Sequence, residues 1–240
     1  MITIKFYSIL DIQSTETKDL EKQVAAREAV KFIKNNDIVG LGTGSTAYFA
    51  IVEIAELVRN GLKIKGVPTS EHTAALATSL GIELLDMNEV NTIDVTIDGA
   101  DEFDEQLNLI KGGGGALFRE KIVASLTKKE IIIADAAKKV EKLGAFRVPV
   151  EVVPLALNYV LQELSKLNGV GTVRMKGNVP FISDNHNYIV DTDFGLIENA
   201  AFLSGSLNQI DGVLAHGLFV NLTSIVIMGK GSETVTYAKH

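Results

Sequence analysis

Asp37-Ile38-Val39-Gly40-Leu41-Gly42-Thr43-Gly44-Ser45-Thr46-Ala47 is the stretch on which the fold turns. Asp37 to Gly40 is a short apolar run ending in glycine, which reads as a buried strand. Ser45 opens a helical pattern that continues to Asn60, and Gly61 is placed to cap its end. A strand that turns through glycines straight into a helix starts a strand–helix–strand unit, and the same punctuation repeats downstream. Lys63 to Pro68 reads as a strand, Ser70 to Leu80 as a helix capped by Gly81, and Ile82 to Asp86 and Asp94 to Ile97 as strands. Gly112 to Gly115 open a helix from Ala116 to Thr127, and Glu130 to Ala134 is the next apolar strand. Upstream, Leu20, Val24, Val30 and Ile33 recur at helical spacing between Thr17 and Asn36, with Ser14, Thr15 and Thr17 as possible N-caps. Met1 to Leu10 reads as a short extension with strand character.

Strands alternating with helices predict a parallel sheet with helices on both faces. After Phe146 the order changes. Val148 to Val153 is a predicted strand, Leu155 to Leu167 a helix, and Thr172 to Lys176 and Tyr188 to Asp193 strands. Glu198 to Gln209 is a helix and Val213 to Val220 a strand, and Ser224 to Met228 returns to the first sheet. The β-α-β-β-α-β order is that of a ferredoxin-like split unit. The predicted fold class is therefore α/β: a Rossmann-like parallel sheet, residues 1–147 and 222–240, with an inserted ferredoxin-like α+β subdomain at 148–221.

The chain of 240 residues is 46% apolar and 22% charged, ordinary values for a globular protein. It has no cysteine, so neither disulfides nor thiolate chemistry is available, which suits a cytoplasmic location. A net charge of −7 with no long basic run argues against nucleic acid as a partner. No apolar run reaches the ~20 residues of a membrane span, and Met1 to Leu10, with Lys5 as its only cation, does not read as a secretory signal.

In open α/β sheets ligands bind beyond the carboxyl ends of the strands. Gly40 to Thr46, Asp98 to Glu102 and Ala134 to Lys138 all lie at such ends. The first has glycines for close approach and hydroxyls at a helix start, where free N–H groups and the helix dipole favour an anion such as phosphate. A tight turn capped by Ser45 is the plainer reading. A dinucleotide fits less well, because Ser45 stands where the third glycine of G-x-G-x-x-G belongs. The second stretch sets Asp98 and Asp101 across a small turn, and His72, His186, His216 and His240 show no metal-ligand spacing around them. The third is Lys111-Gly112-Gly113-Gly114-Gly115, with Glu120 early in the following helix. Consecutive glycines raise the entropy cost of folding, and close approach to a ligand is the usual compensation. Taken singly, Lys111 reads as a surface charge and Glu120 as a partner of the helix dipole.

In combination and in this order, Gly-x-Gly-Thr-Gly-Ser-Thr (40–46), Asp-Gly-Ala-Asp-Glu (98–102) and Lys-Gly-Gly-Gly followed by Arg-Glu-Lys (111–121) resemble the type A ribose-5-phosphate isomerase family. Ile133-Ala134-Asp135-Ala136-Ala137-Lys138 and Pro149-Val150-Glu151-Val152-Val153-Pro154 are similar to it too, and the resemblance runs from about Leu20 to the C-terminus. It implies an aldose–ketose isomerase that interconverts D-ribose 5-phosphate and D-ribulose 5-phosphate through a cis-enediolate, in the non-oxidative branch of the pentose phosphate pathway. It implies a catalytic base at Glu120, with Asp98, Asp101 and Lys111 assisting. Substrate contacts are implied at Thr43, Gly44, Ser45 and Thr46, at Asp98, Gly99, Ala100 and Asp101, at Lys111, Gly112, Gly113 and Gly114, and at Lys138; Lys22 corresponds more loosely to a phosphate-side lysine. Gly115 stands where relatives carry alanine. No metal or organic cofactor is implied, and the expected assembly is a homodimer or a dimer of dimers with the insertion as contact region.

A carboxylate lying over the plane of the enediolate can move the proton from C2 to C1, provided that burial raises its pKa toward neutrality. Lys111 and glycine-loop N–H groups can meet the charge that develops on oxygen. Two other readings belong to different classes. One is another enzyme on a related sheet, such as an aminosugar-phosphate deaminase or a CoA-transferase with a glutamate nucleophile. The other is a sugar-phosphate sensor without catalysis, which has less need of the Lys111 and Glu120 pair.

Overall fold

A computed structural model describes the backbone of residues 9–239 and the side chains of residues 16–239. The first part of the chain contains α1 (Ile9–Ala29), β1 (Ile38–Leu41), α2 (Ser45–Arg59), β2 (Lys65–Pro68), α3 (Glu71–Ser79) and β3 (Val95–Gly99). Two short strands, β4 (Glu102–Phe103) and β5 (Leu109–Ile110), precede α4 (Leu117–Leu126) and β6 (Glu130–Asp135). Then come β7 (Val148–Val152), α5 (Leu157–Lys166), β8 (Val170–Val173), β9 (Met175–Lys176), β10 (Val179–Pro180) and β11 (Tyr188–Asp193). α6 (Ala200–Leu207), β12 (Val213–His216), β13 (Leu218–Phe219), β14 (Ile225–Lys230) and β15 (Glu233–Ala238) complete it.

The main sheet has six strands in the order β15-β14-β6-β3-β1-β2. All neighbours are parallel except β14 and β15. From β1 the chain steps outward to β2 and then back across β1 to β3. That reversal opens a crevice beyond the carboxyl ends of β1 and β3, the general ligand position in such sheets. Both faces are covered. Ile131 and Ile133 of β6 pack with Ala25, Ala26 and Ala29 of α1 and Ala50 and Ile54 of α2. Ile132 and Ala134 face the other way, toward Phe103, Leu109, Ala124 of α4 and Phe219.

The second sheet is four-stranded and antiparallel, in the order β12-β7-β11-β8. Val148, Val150 and Val152 pack beneath Val160 and Leu164 of α5 and Leu207 of α6. The opposite face receives α4: Leu117 packs with Ile189 and Ala215, while Val123 of the same helix packs with Val67 and Ile93 of the first part. The helix that carries Glu120 is thus held between two sheets, which is why a polar residue in its first turn is buried.

Several expectations need correction. Of the extension expected over Met1 to Leu10, residues 1–8 lie outside the described residues, while Ile9 and Leu10 are helical rather than extended. α1 starts at Ile9, so Ser14, Thr15 and Thr17 lie inside it rather than at its cap. Its buried stripe is the alanine set, while Leu20 is 42% exposed; small side chains let the helix lie close against α2 and the sheet. Ile82 to Asp86 forms no strand, only a bridge from Leu84 to Gly66. The expected strand from Val213 to Val220 breaks at Gly217. β13 there leaves the antiparallel sheet, pairs with β5, and joins β4 in a separate three-stranded sheet. β15 was not expected; it is an edge strand with mostly exposed residues. Among the described residues no helix is long and apolar enough to cross a membrane.

Candidate active site

The crevice between β1 and β3 is a cavity of roughly 230 Å³ lined by Thr43, Gly44, Ser45 and Thr46, by Gly99, Ala100 and Asp101, by Lys111, Gly112, Gly113 and Gly114, and by Glu120 and Lys138. Pockets for drug-sized ligands run to about 300–1,000 Å³, so this one suits a small metabolite and not a dinucleotide. Of the expected site residues, Asp98 lies directly behind the wall and Lys22 does not line the cavity. The Lys22 ammonium pairs with Asp19 at 3.1 Å. Its neighbour Glu21 accepts a hydrogen bond from Ala136 N at 3.1 Å, which holds this turn of α1 against the Lys138 segment.

One end of the cavity is built for an anion. α2 begins at Ser45 with no side-chain cap, since Gly44 stands at the N-cap. By contrast Ser70 caps α3 and Asn199 caps α6 through their side chains. The first-turn N–H groups of α2 have no intrahelical partners, and the helix dipole favours negative charge there. Lys138, in the turn after β6, adds a cation that makes no ion pair among the described residues. The Thr43 hydroxyl is engaged elsewhere, bonding the hydroxyls of Thr69, Ser70 and Thr73 at 2.7, 2.8 and 3.1 Å. Thr43 therefore shapes the loop, and its backbone N–H donates to Asp98 Oδ1 at 3.0 Å.

The other end is a buried charge cluster. Lys111 and Asp98 are 2% and 1% exposed, with Lys111 Nζ 2.9 Å from Asp98 Oδ2. The same ammonium donates to Gly99 O at 2.6 Å and stands 3.5 Å from Glu120 Oε2. Asp98 Oδ1 also accepts from Gly99 N at 2.7 Å, so three donors fix this carboxylate. Glu120 Oε2 has no hydrogen-bond partner among the described residues; Lys111 faces it as a charge, not as a close donor. Burial pushes Glu120 up, Lys111 opposes, and Asp98 and Asp101 add to the rise, leaving it at about 8. Burial also disfavours the Lys111 ammonium, but the carboxylates of Asp98 and Glu120 outweigh it and hold that group above the ordinary lysine value.

Asp101 is partly exposed at the cavity edge, and its Oδ2 accepts from Gly113 N at 2.8 Å. A side chain at Gly113 would place Cβ 2.6 Å from the Asp101 carboxylate, so only glycine permits the approach. At Gly115, φ is +87° and a Cβ would meet the tip of the Phe181 ring at 2.6 Å, so an alanine here would be strained and would displace that ring. Glu102, next to this motif, plays a structural part: its carboxylate accepts from Gly144 N and Phe146 N.

The sequence reading passed over three supporting groups. Glu130, at the start of β6, is buried with Oε2 unpartnered, and burial followed by the Asp98 charge raises it well above the carboxylate range, with Lys111 opposing. Phe219 lies between two ammoniums, 5.4 Å from Lys111 and 4.8 Å from Lys121. Arg174 reaches the glycine loop from the antiparallel sheet. A lone Glu at a strand start, a Phe in a strand and an Arg between strands carry no motif, so only the fold reveals them. Among the described residues no group of three or more His, Cys, Asp or Glu is arranged to hold a metal ion.

Comparison with known proteins places the chain in one family. The family described as Ribose 5-phosphate isomerase A (phosphoriboisomerase A) matches residues 65–233. The protein named ribose-5-phosphate isomerase A from Ruegeria pomeroyi is 46% identical over 225 residues, 90% of this chain and 86% of its own. Its namesake from Desulfatibacillum aliphaticivorans is 50% identical over 216 residues, 88% and 94% of the two chains. Among solved structures, ribose 5-phosphate isomerase A from Methanocaldococcus jannaschii superposes with a TM-score of 0.88 at 38% identity, covering 92% of this chain and 99% of that one. A D-ribose-5-phosphate isomerase in complex with phospho-erythronic acid gives 0.88 at 39% identity, with 91% and 97% covered.

Proposed function

The chain belongs to the ribose 5-phosphate isomerase A family, and from that premise we propose how its own residues carry the reaction. It is an aldose–ketose isomerase acting between ribose 5-phosphate and ribulose 5-phosphate. In the proposed mechanism the phosphate sits at the uncapped start of α2, against Ser45 and Thr46, with Lys138 as counter-charge. Phosphate binding is remote from the reacting carbons and orients them. The role that the family resemblance gives Lys22 requires its ammonium to leave Asp19.

Glu120 is the base. It takes the C2 proton; the C–H pair becomes the C1–C2 double bond, and the carbonyl pair moves onto O1. Lys111 and a glycine-loop N–H meet that developing charge, as preorganised donors do. Glu120 then returns its proton to C1, the double-bond pair forming the new C1–H bond, while the O2 hydroxyl proton passes to O1, so that C2 becomes the carbonyl and O1 the C1 hydroxyl. Asp98 and Asp101 are assigned to the hydroxyl protons and to opening of the sugar ring. This scheme calls on no metal or organic cofactor.

The observation that carries the proposal is the placement of Glu120: buried, raised to about 8 and facing the cavity 3.5 Å from Lys111. A carboxylate in water is too weak a base for a carbon acid, and this one is tuned toward neutral pH. The test is to incubate pure protein with ribose 5-phosphate and follow ketose formation with and without chelator. Turnover should be unaffected by chelator and should fall by about 10²–10⁴-fold in Glu120→Gln. Near-wild-type turnover in the folded variant would move the base to another residue.

The proposal extends to setting and assembly. The reaction belongs to the non-oxidative pentose phosphate pathway, and a cysteine-free chain acting on a phosphorylated sugar suits the cytoplasm. Residues 148–221 are taken as a subdomain separate from 1–147 and 222–240. That region exposes Val170, Met175, Val179 and Phe202, apolar surface that supports its use in a homodimer or dimer of dimers.

A further inference from the structure

We propose that Arg174 is a positioning residue for the isomerisation: it fixes the Gly112–Gly114 backbone so that the Gly114 N–H is presented to the oxyanion of the enediolate. The inference rests on the functional reading above. Arg174 sits between β8 and β9, where the strand is interrupted. Its Nε donates to Asp191 Oδ2 at 2.9 Å and its Nη2 to Asp191 Oδ1, a bidentate pair that fixes the guanidinium plane. Phe181 lies against the same group, 5.9 Å from its ring centroid. Nη1 is left free to reach across, and it donates to Gly112 O and to Gly113 O, both at 3.0 Å.

The consequence follows from peptide geometry. In a trans peptide the C=O and the following N–H point to opposite sides, and the chain has no cis peptide among the described residues. The Gly112–Gly113 peptide is therefore held from both sides, its carbonyl by Arg174 and its N–H by Asp101 at 2.8 Å. The Gly113–Gly114 peptide has its carbonyl on Arg174 as well, so the Gly114 N–H is turned away from Arg174. Gly114 lines the cavity. The neighbouring donors are engaged, Gly113 N on Asp101 and Gly115 N on Gly112 O. The Gly114 and Gly112 N–H groups have no partner among the described residues, and of the two Gly114 is the one whose own peptide carbonyl is held by Arg174. Hydrogen bonding at the carbonyl also polarises the N–H of the same peptide, strengthening it as a donor. Glycine flexibility would otherwise let this peptide rotate, so a rigid clamp from the second sheet is what makes a glycine loop usable as an oxyanion site.

The test compares wild type, Arg174→Lys, Arg174→Ala and Asp191→Asn. Measured quantities are kcat and KM for ribose 5-phosphate, and the affinities for inorganic phosphate and for 4-phospho-erythronate, whose carboxylate stands in for the enediolate oxygens. Misplacing one oxyanion donor is worth about 10²-fold in rate. Arg174→Lys and Arg174→Ala should lose roughly that factor in kcat and weaken phospho-erythronate comparably, with KM and phosphate affinity changed by less than about threefold. Asp191→Asn should give a smaller loss of the same kind, and added guanidinium ion should restore part of the Arg174→Ala rate. Wild-type kcat in folded Arg174→Lys and Arg174→Ala would overturn the inference, as would a loss shared equally by phosphate affinity. If the wild type itself fails to isomerise ribose 5-phosphate, the functional reading falls, and unchanged phospho-erythronate binding in the variants would separately remove the role of Arg174.

Discussion

Lys111 Nζ stands 2.9 Å from Asp98 and 3.5 Å from Glu120, so one buried ammonium balances two buried carboxyl groups. It bonds Asp98 fully and Glu120 only through charge. The asymmetry separates their roles: Asp98 is a carboxylate fixed by three donors, and Glu120 lines the cavity with no hydrogen bond on Oε2.

Replacing Lys111 with Met should damage both fold and rate. Removing one partner of a buried pair leaves the other charge uncompensated, typically at about 3–5 kcal/mol. Asp98 would bear most of this, since Lys111 is its only cationic neighbour by ion pairing among the described residues. Denaturant titration should show that loss, and kcat should fall at least about 10²-fold because the oxyanion loses its cation. A stable variant with unimpaired kcat would make Lys111 a bystander.

The rate should follow the ionisation of Glu120. Its value in the free protein is raised to about 8, with burial as the main cause and Lys111 opposing. The base form is the deprotonated one, so kcat/KM should rise with pH through a limb near 8 and fall about tenfold per unit on its acid side. The limb reports the coupled Glu120, Lys111 and Asp98 cluster as a unit. The stability sign is opposite: a carboxyl raised above its unfolded value favours the fold below about 4.5 and loses that contribution as pH rises through 8. Glu120→Gln should remove both trends; an unchanged acid limb in the variant's residual rate would assign it to another group.

The anion end should govern binding. Thr46 and Lys138 line the cavity, and the uncapped α2 start follows β1 at its edge. Lys138→Met and Thr46→Ala should each raise KM for ribose 5-phosphate by about 10-fold or more, the scale of one lost charge-assisted hydrogen bond. Free ribose should be turned over far more slowly than ribose 5-phosphate by the wild type, and the Lys138→Met change should not affect that slow rate. Equal kcat/KM for the two sugars would remove phosphate from the mechanism.

The parts of this molecule legible in the sequence are those with local signals. Gly40 to Ser45 marks a strand turning into a helix, and β1 and α2 lie where that pattern places them. Asp98, Lys111 and Glu120 were legible as motif members, but nothing local shows that they meet, since contact depends on β3, β5 and α4 arriving at one crevice. β4 and β5 are two residues each, too short for any periodicity. β15 alternates weakly because its exposed edge position asks little of either face. The 82–86 segment has strand-like composition yet lies beyond the edge strand β2, joined to its backbone at Gly66 alone, which donates to Glu83 O and accepts from Leu85 N. Arg174 and His216 act through partners 61 and 95 residues away respectively, a relation no spacing rule contains.

His216 should set an acid limit on stability. Its ring is fully buried, with Nδ1 accepting from Leu218 N at 3.3 Å and facing Lys121 Nζ at 3.3 Å, while Nε2 points to Asn208 Oδ1 at 3.1 Å. Those contacts select the neutral tautomer with hydrogen on Nε2. Burial, then the Lys121 charge, depress it to about 3 from 6.5. A depressed folded value means that the unfolded chain takes the proton first. Stability from this group is fully present above about 6.5 and is lost as pH falls toward 3, at about 1.4 kcal/mol per unit. Lys121 does not share this window: burial lowers it to about 7, so its pH dependence lies between 7 and 10.5. Its ammonium also has acceptors in His216 O at 2.6 Å and Leu218 O at 2.9 Å, which favour the charged form. His216→Asn should therefore be less stable than wild type at pH 7.5, and the gap should shrink steadily below pH 6.5. Denaturant midpoints for both proteins between pH 4 and 8 measure it, and a gap that stays constant across that range would show that His216 does not titrate on unfolding.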